Sequence, residues 1–148
     1  MSRVTADQHH AVMALLAATK YLKDDEDAEG FAACWSHDAR LSIHSNGQDM
    51  APLVGRAAIL DFYRQVWTTG GHGLGVDRET HVAEAPYIVA LEGGRLLARH
   101  TAIFVKWHGD GPALVGFGTF RDEIIFEEGA WRIDVRQSHL RRRRFSQS

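Results

Sequence analysis

At about Arg78 the spacing of apolar residues changes from threes and fours to twos, dividing the chain into a helical first half and a stranded second half. Beyond that point, strand-like runs lie near 79–91, 95–107, 113–126 and 130–140, separated by Glu92-Gly-Gly94, His108-Gly-Asp-Gly-Pro112 and Glu128-Gly129. Connections this short join neighbouring strands, so the second half reads as an antiparallel meander. Before it, Thr5-Ala-Asp-Gln8 forms a capping box ahead of Val12, Leu15, Leu16 and Leu22, which predicts a helix from about 6 to 23. The acidic run Asp24-Asp-Glu-Asp27 interrupts that pattern. Asp27 can cap a second, short helix on which Phe31, Cys34 and Trp35 fall at i, i+3 and i+4. Leu41 and Ile43 alternate with Ser42 and His44 as in a strand, up to a turn at Asn46-Gly47. After Pro52, the helical spacing of Ile59, Phe62, Tyr63 and Val66 marks a third helix. Helices followed by hairpin-linked strands imply an α+β fold, with the helices packed on one face of a curved antiparallel sheet.

The 148 residues suffice for one domain, here 1–148, with a core from about 6 to 140 and an Arg-rich C-terminal tail over 141–148. Apolar residues at 45% and charged residues at 24% are ordinary for a globular chain and exclude wholesale disorder. Seventeen basic against 19 acidic residues leave a net charge of −2, which provides no global field for nucleic acid. The tail run Arg141-Arg-Arg-Arg144 has no interleaved aromatics and reads as an exposed tail or a dimer-edge contact. A lone cysteine, Cys34, excludes an internal disulfide and cysteine-rich metal ligation. Beside Phe31 and Trp35 it reads as a small buried hydrophobe. The opening MSRVTADQHH lacks the apolar core of a signal peptide, and no run approaches the roughly 18 apolar residues of a membrane span. A soluble, cytoplasmic protein without a membrane partner is therefore expected.

The chain contains no G-x-S-x-G elbow, P-loop, H-E-x-x-H or strand-borne G-x-G-x-x-G. Adjacent His9 and His10 would point about 100° apart on a helix and cannot chelate one ion together. His100 is more informative. It alternates with Leu96, Ala98, Ala102 and Phe104, placing an imidazole on an apolar face, while His81 shares a face with Ala83 and Ala85. A buried imidazole needs a partner. A backbone carbonyl or a tyrosine could supply it and make His100 a core residue, but two histidines on small-residue faces also suit a cavity wall. The acidic run admits two readings as well: a solvated turn, or one carboxylate turned inward to orient an imidazole as a general base needs. Four glycines in Thr69-Gly-Gly-His-Gly-Leu-Gly75 describe either a gate over a site or a loose surface loop.

Tyr21-Leu-Lys-Asp24-Asp-Glu-Asp27 followed by Phe31-Ala-Ala-Cys-Trp35-Ser-His-Asp38-Ala39 resembles the opening of SnoaL-like proteins of the nuclear transport factor 2-like superfamily. Gly55-Arg-Ala-Ala-Ile59 resembles their entry to the third helix. Glu79-Thr-His81, Gly94-Arg-Leu-Leu-Ala-Arg-His100, Gly118-Thr-Phe-Arg-Asp122, Gly129-Ala-Trp-Arg-Ile133 and Arg136 resemble their strand signatures in the same order. The likeness runs from about residue 8 to 140. It implies a cone, an α+β barrel in which a strongly curved antiparallel sheet wraps around N-terminal helices and encloses an apolar pocket, usually in a dimer. In polyketide cyclases and scytalone dehydratase-like members, an aspartate ending the first helix bonds a strand histidine. Those positions match Asp24 and His81, and a second pocket histidine corresponds to His100. Lys23 departs from the dehydratase, which has a tyrosine there.

The expectation is a small lyase or isomerase of the dehydratase or cyclase type, with no metal or organic cofactor, acting on a hydrophobic cyclic or polyketide-like molecule. Asp24 would hold His81, His81 would remove a proton, and His100 would stabilise the developing oxyanion or leaving hydroxyl. Tyr21, Trp35, Phe62, Tyr63 and Phe120 would line the substrate pocket. The alternative is a non-catalytic ligand-binding module, or a structural subunit resembling the small subunit of ring-hydroxylating dioxygenases. A homodimer is expected through the outer sheet face carrying Ile103, Val105 and Trp107.

Overall fold

The computed structural model describes residues 3–70 and 78–143. The capping box forms as its residues require: Thr5 Oγ1 accepts from the Gln8 amide at 3.1 Å and Gln8 Oε1 accepts from the Thr5 amide at 2.9 Å. It opens α1 (Ala6–Asp24), which buries Val12, Leu15, Thr19 and Asp24. The turn that ends it puts Glu26 at φ 59° and presents Asp27, whose carboxylate caps α2 (Ala28–Ala33) by accepting from the Gly30 amide at 2.9 Å. Cys34 ends that helix and Trp35 begins β1 (Trp35–Ser45). The expected helical placement of Trp35 is thereby corrected: a six-residue helix is too short to carry it, and its indole reaches the core from the start of the strand.

Asn46 and Gly47, both at positive φ, turn β1 into β2 (Gln48–Asp49), and β3 (Leu53–Val54) folds back on Arg40 and Leu41. Gly55 leads into α3 (Arg56–Thr69). The run expected over 79–91 is two strands, β4 (Glu79–Ala83) and β5 (Tyr87–Ala90), because Pro86 cannot donate to a ladder and the chain steps aside there. Both pair antiparallel with β6 (Leu96–His108), which continues into the long hairpins of β7 (Gly111–Glu127) and β8 (Ala130–Arg142).

The sheet order is β2-β1-β8-β7-β6-β4, and β1 lies parallel to β8. The sheet is therefore mixed rather than antiparallel throughout. No hairpin links β1 to β8; α3 and the whole meander intervene, so no short turn dictates their direction. The strand β8 also runs past the expected core limit at 140, so Arg141 and Arg142 belong to the sheet and not to a tail. The glycine segment lies outside the described residues beyond Gly70, and so does Arg144.

Cross-strand register decides what faces the helices. One inner row sets Ala98, Asp122, Arg136 and Leu41 side by side, and the next sets His100, Phe120, Ser138 and Ile43. The core under α1 and α3 is Val12, Phe31, Trp35, Leu41, Ile59, Leu96, Ile124 and Ile133, each essentially buried. Phe31 packs edge-on against Trp35, Tyr63 and Trp67. Past the Asp122–Arg136 row the inner face is mixed, with His100 and Ser138 flanking Phe120, and a second apolar cluster of Ala102, Phe104 and Val115 lies beyond. Among the described residues no helix is long and apolar enough to cross a membrane.

Candidate active site

The last turn of α1 meets β4, and this junction assembles the first half of the site. Asp24 and His81 are each 6% exposed. Asp24 Oδ1 lies 2.8 Å from His81 Nδ1, and its Oδ2 accepts from the His81 amide at 3.2 Å, so one carboxylate fixes both ring and backbone. At the other edge of the ring, His81 Nε2 is 3.4 Å from Glu79 Oε1. Both oxygens of Glu79 are in turn engaged by the Arg142 guanidinium, one of them at 2.9 Å. Phe104 packs edge-on against the imidazole, with ring centroids 4.9 Å apart.

Burial opposes ionisation of Asp24, but the hydrogen bonds and charge of His81, aided by Lys23, hold its carboxyl below the ordinary value. For His81 the balance goes the other way. Burial and the neighbouring Lys23 ammonium outweigh Asp24 and Glu79, and its pKa falls below 6.5. Asp24 does favour the protonated ring, as an inward carboxylate should, but burial and Lys23 outweigh it. The lowered pKa favours the neutral ring, whose Nδ1–H donates to Asp24 and whose Nε2 is then the unprotonated nitrogen. A proton taken there develops its charge beside Glu79.

The second half stands on β6, β7 and β8. His100 Nε2 is 2.9 Å from Asp122 Oδ2, and its ring stacks on Phe120 at 5.0 Å and 15°. Asp122, fully buried, receives Arg136 in a two-pronged pair at 2.7 Å on each oxygen. That guanidinium lies 5.3 and 5.4 Å from the Trp35 and Phe120 ring centroids. Burial works against the Asp122 charge, but Arg136 and then His100 overcome it and keep the carboxyl below its ordinary value.

Two cavities of about 320 and 400 Å³ adjoin these groups. His81 and His100 both border the first; Lys23, Tyr63, His81 and Phe120 border both. Of the expected pocket residues, Tyr63 and Phe120 line both cavities, Phe62 the second, and Tyr21 the rim of the first at 60% exposure. Trp35 borders neither. It is buried in the core behind Arg136 and supports that side chain instead. Glu79, Asp122, Arg136 and Arg142 were not picked out from the sequence as site residues. Asp122 had a readable signal, since it alternates with Phe120 and Ile124 on the inner face. Cys34 is buried, which pushes its thiol up and leaves it inert. Among the described residues no group of three or more His, Cys, Asp or Glu side chains could hold a metal ion.

Comparison with known proteins agrees with this architecture. The SnoaL-like domain family matches residues 4–137, and the chain belongs to that family. A search of curated proteins finds no significant match. Among solved structures, Aln2 from a Streptomyces species superposes with a TM-score of 0.75 at 18% identity, covering 93% of this chain and 94% of that one. ActVI-ORFA from Streptomyces coelicolor gives 0.73 at 16%, covering 89% and 96%. The beta subunit of a candidate aromatic-ring-hydroxylating dioxygenase from Novosphingobium aromaticivorans gives 0.73 at 16%, covering 93% and 92%. An NTF2-like protein with a cystatin-like fold from the same species gives 0.72 at 20%, covering 90% and 82%. At these identities the likeness establishes the nuclear transport factor 2-like fold.

Proposed function

We propose that this SnoaL-like protein is a cofactor-independent lyase or isomerase that removes a proton next to a carbonyl or activated ring carbon of a hydrophobic cyclic or polyketide-like molecule. The observation that carries this reading is the buried Asp24–His81 pair, whose imidazole borders two cavities. Asp24 orients the ring, His81 Nε2 takes the proton, and Glu79 stabilises the imidazolium that results. His100, bonded through Nε2 to Asp122, faces the first cavity and stabilises the developing oxyanion or leaving hydroxyl. Dehydration, isomerisation and aldol-type cyclisation all begin with such a step. The protein acts as a homodimer joined through its outer sheet face.

A second reading, a structural subunit beside a larger enzyme, draws on the exposed apolar face of the sheet and on the likeness to the candidate dioxygenase beta subunit. A pocket built only for support has no use for a buried acid–imidazole pair. The test is solvent deuterium exchange, followed by NMR, on a panel of cyclic β-hydroxy ketones. The wild-type protein should exchange the proton next to the carbonyl, and Asp24→Asn and His81→Ala should each lose about 10²–10⁴-fold in rate while retaining the fold. Equal exchange by wild type and both variants would remove the mechanism.

A further inference from the structure

Lys23 is the residue at which this chain departs from the dehydratase pattern, and its setting gives it a chemistry of its own. It stands one position before Asp24, in the last turn of α1, and borders both cavities. Among the described residues no hydrogen bond or ion pair holds its ammonium. The groups that face it are Asp24 and Lys20 from α1, Glu79 and His81 from β4, Arg136 from β8 and, across the pocket, Tyr63 from α3. Asp24 and Glu79 favour its charge, but both are already committed, to His81 and Arg142 respectively. Arg136 and Lys20 oppose it. A lysine kept only for its charge would be paired with a carboxylate; this one is left at the cavity wall beside a base.

We propose that Lys23 is an imine-forming lysine and that the pocket takes hydrophobic aldehydes or ketones as reversible covalent adducts. The neutral amine adds to the carbonyl carbon, forming the C–N bond, and one amine proton passes to the oxygen to give a carbinolamine. The hydroxyl then leaves with a second proton, taken from solvent, as water, and a protonated imine remains. That cation withdraws electrons from the adjacent C–H bond, whose proton His81 is placed to take, giving an enamine. Burial of the ammonium, outweighing Asp24, lowers the Lys23 pKa from 10.5 to about 8. At pH 7 this leaves roughly 300-fold more free amine than on a lysine titrating at 10.5. The inference deepens the proton-abstraction reading by naming a carbonyl compound as the ligand class, and it rests on that reading only for the step after imine formation.

The test treats the full chain with 4-phenyl-2-butanone and cyanoborohydride in deuterated buffer between pH 6 and 10, followed by peptide mapping and NMR of the recovered ketone. The chain has three lysines, so Lys20 and Lys106 serve as internal references. The expected result is a secondary-amine adduct on Lys23, at least ten-fold faster than on Lys20 or Lys106 at pH 7, with a half-maximum near pH 8. It should be absent from both Lys23→Arg and Lys23→Met, whose folding is checked by circular dichroism. His81→Ala should keep the adduct and lose deuterium exchange, which separates the two claims. Adduct formation with exchange indifferent to His81 would support the imine and defeat the base. His81-dependent exchange without a Lys23 adduct, or labelling spread evenly over the three lysines, would overturn the imine.

Discussion

Asp122 is the side chain on which most of the polar wall depends. It is fully buried and holds Arg136 and His100 together through three hydrogen bonds. Breaking a buried ion pair by removing one charge leaves the other uncompensated, at about 3–5 kcal/mol. Asp122→Asn should therefore lower stability by that amount in denaturant unfolding, and adding Arg136→Met to the same variant should recover part of the loss. A single-variant loss under about 1 kcal/mol would mean that Arg136 finds another partner. Residues differ in how legible they were. Asp24 and His81 could be read from motif order and from an imidazole on a small-residue face. Arg142 and Glu79 could not, because their pairing joins β8 to β4, two strands that are not neighbours in the sheet. The direction of the His81 shift was also hidden, since it turns on burial and on Lys23 rather than on the carboxylate beside it.

The elements were read best where a local signal sufficed. The capping box fixed the start of α1, Asp27 fixed that of α2, and the turn expected at Asn46-Gly47 forms there with both residues at positive φ. Trp35 illustrates the limit. Its spacing from Phe31 suits a helix, yet the helix ends at Ala33 and the indole is buried from a strand. The alternating pattern over 79–91 likewise could not distinguish one strand from two that meet the same partner on either side of Pro86. The break matters to the site, because Ala83, Glu84, Ala85 and Pro86 form part of the first cavity wall where the ladder is interrupted.

The whole molecule adds what no single element contains: the order of strands, and the outer face they share. Register aligns Val82, Ile103 and Phe117 across β4, β6 and β7, with Val105 beside Leu114 in the next row. Val82, Ile103, Leu114, Phe117 and Trp107 are each 43–57% exposed, a continuous apolar patch of the kind that marks an interaction surface. A second copy of this chain covering that patch should give a dimer in sedimentation equilibrium at micromolar concentration, and Ile103→Lys with Phe117→Asp should yield monomers. A wild-type monomer of 16.5 kDa would contradict the dimer. The parallel contact of β1 with β8 was beyond the sequence because it is set by packing after the meander has formed, not by a turn.

The central claim is that His81, held by Asp24, is a neutral base at the pocket wall at physiological pH. Long-range ¹H–¹⁵N correlation spectra of protein labelled at its histidine rings read this directly, without knowledge of the substrate. At pH 7 His81 should carry its proton on Nδ1 and none on Nε2, and should titrate below 6.5; base-dependent turnover then rises with pH through that midpoint. In Asp24→Asn the loss of the carboxylate should move the midpoint lower still. A His81 doubly protonated at pH 7, or protonated on Nε2 alone, would contradict the account.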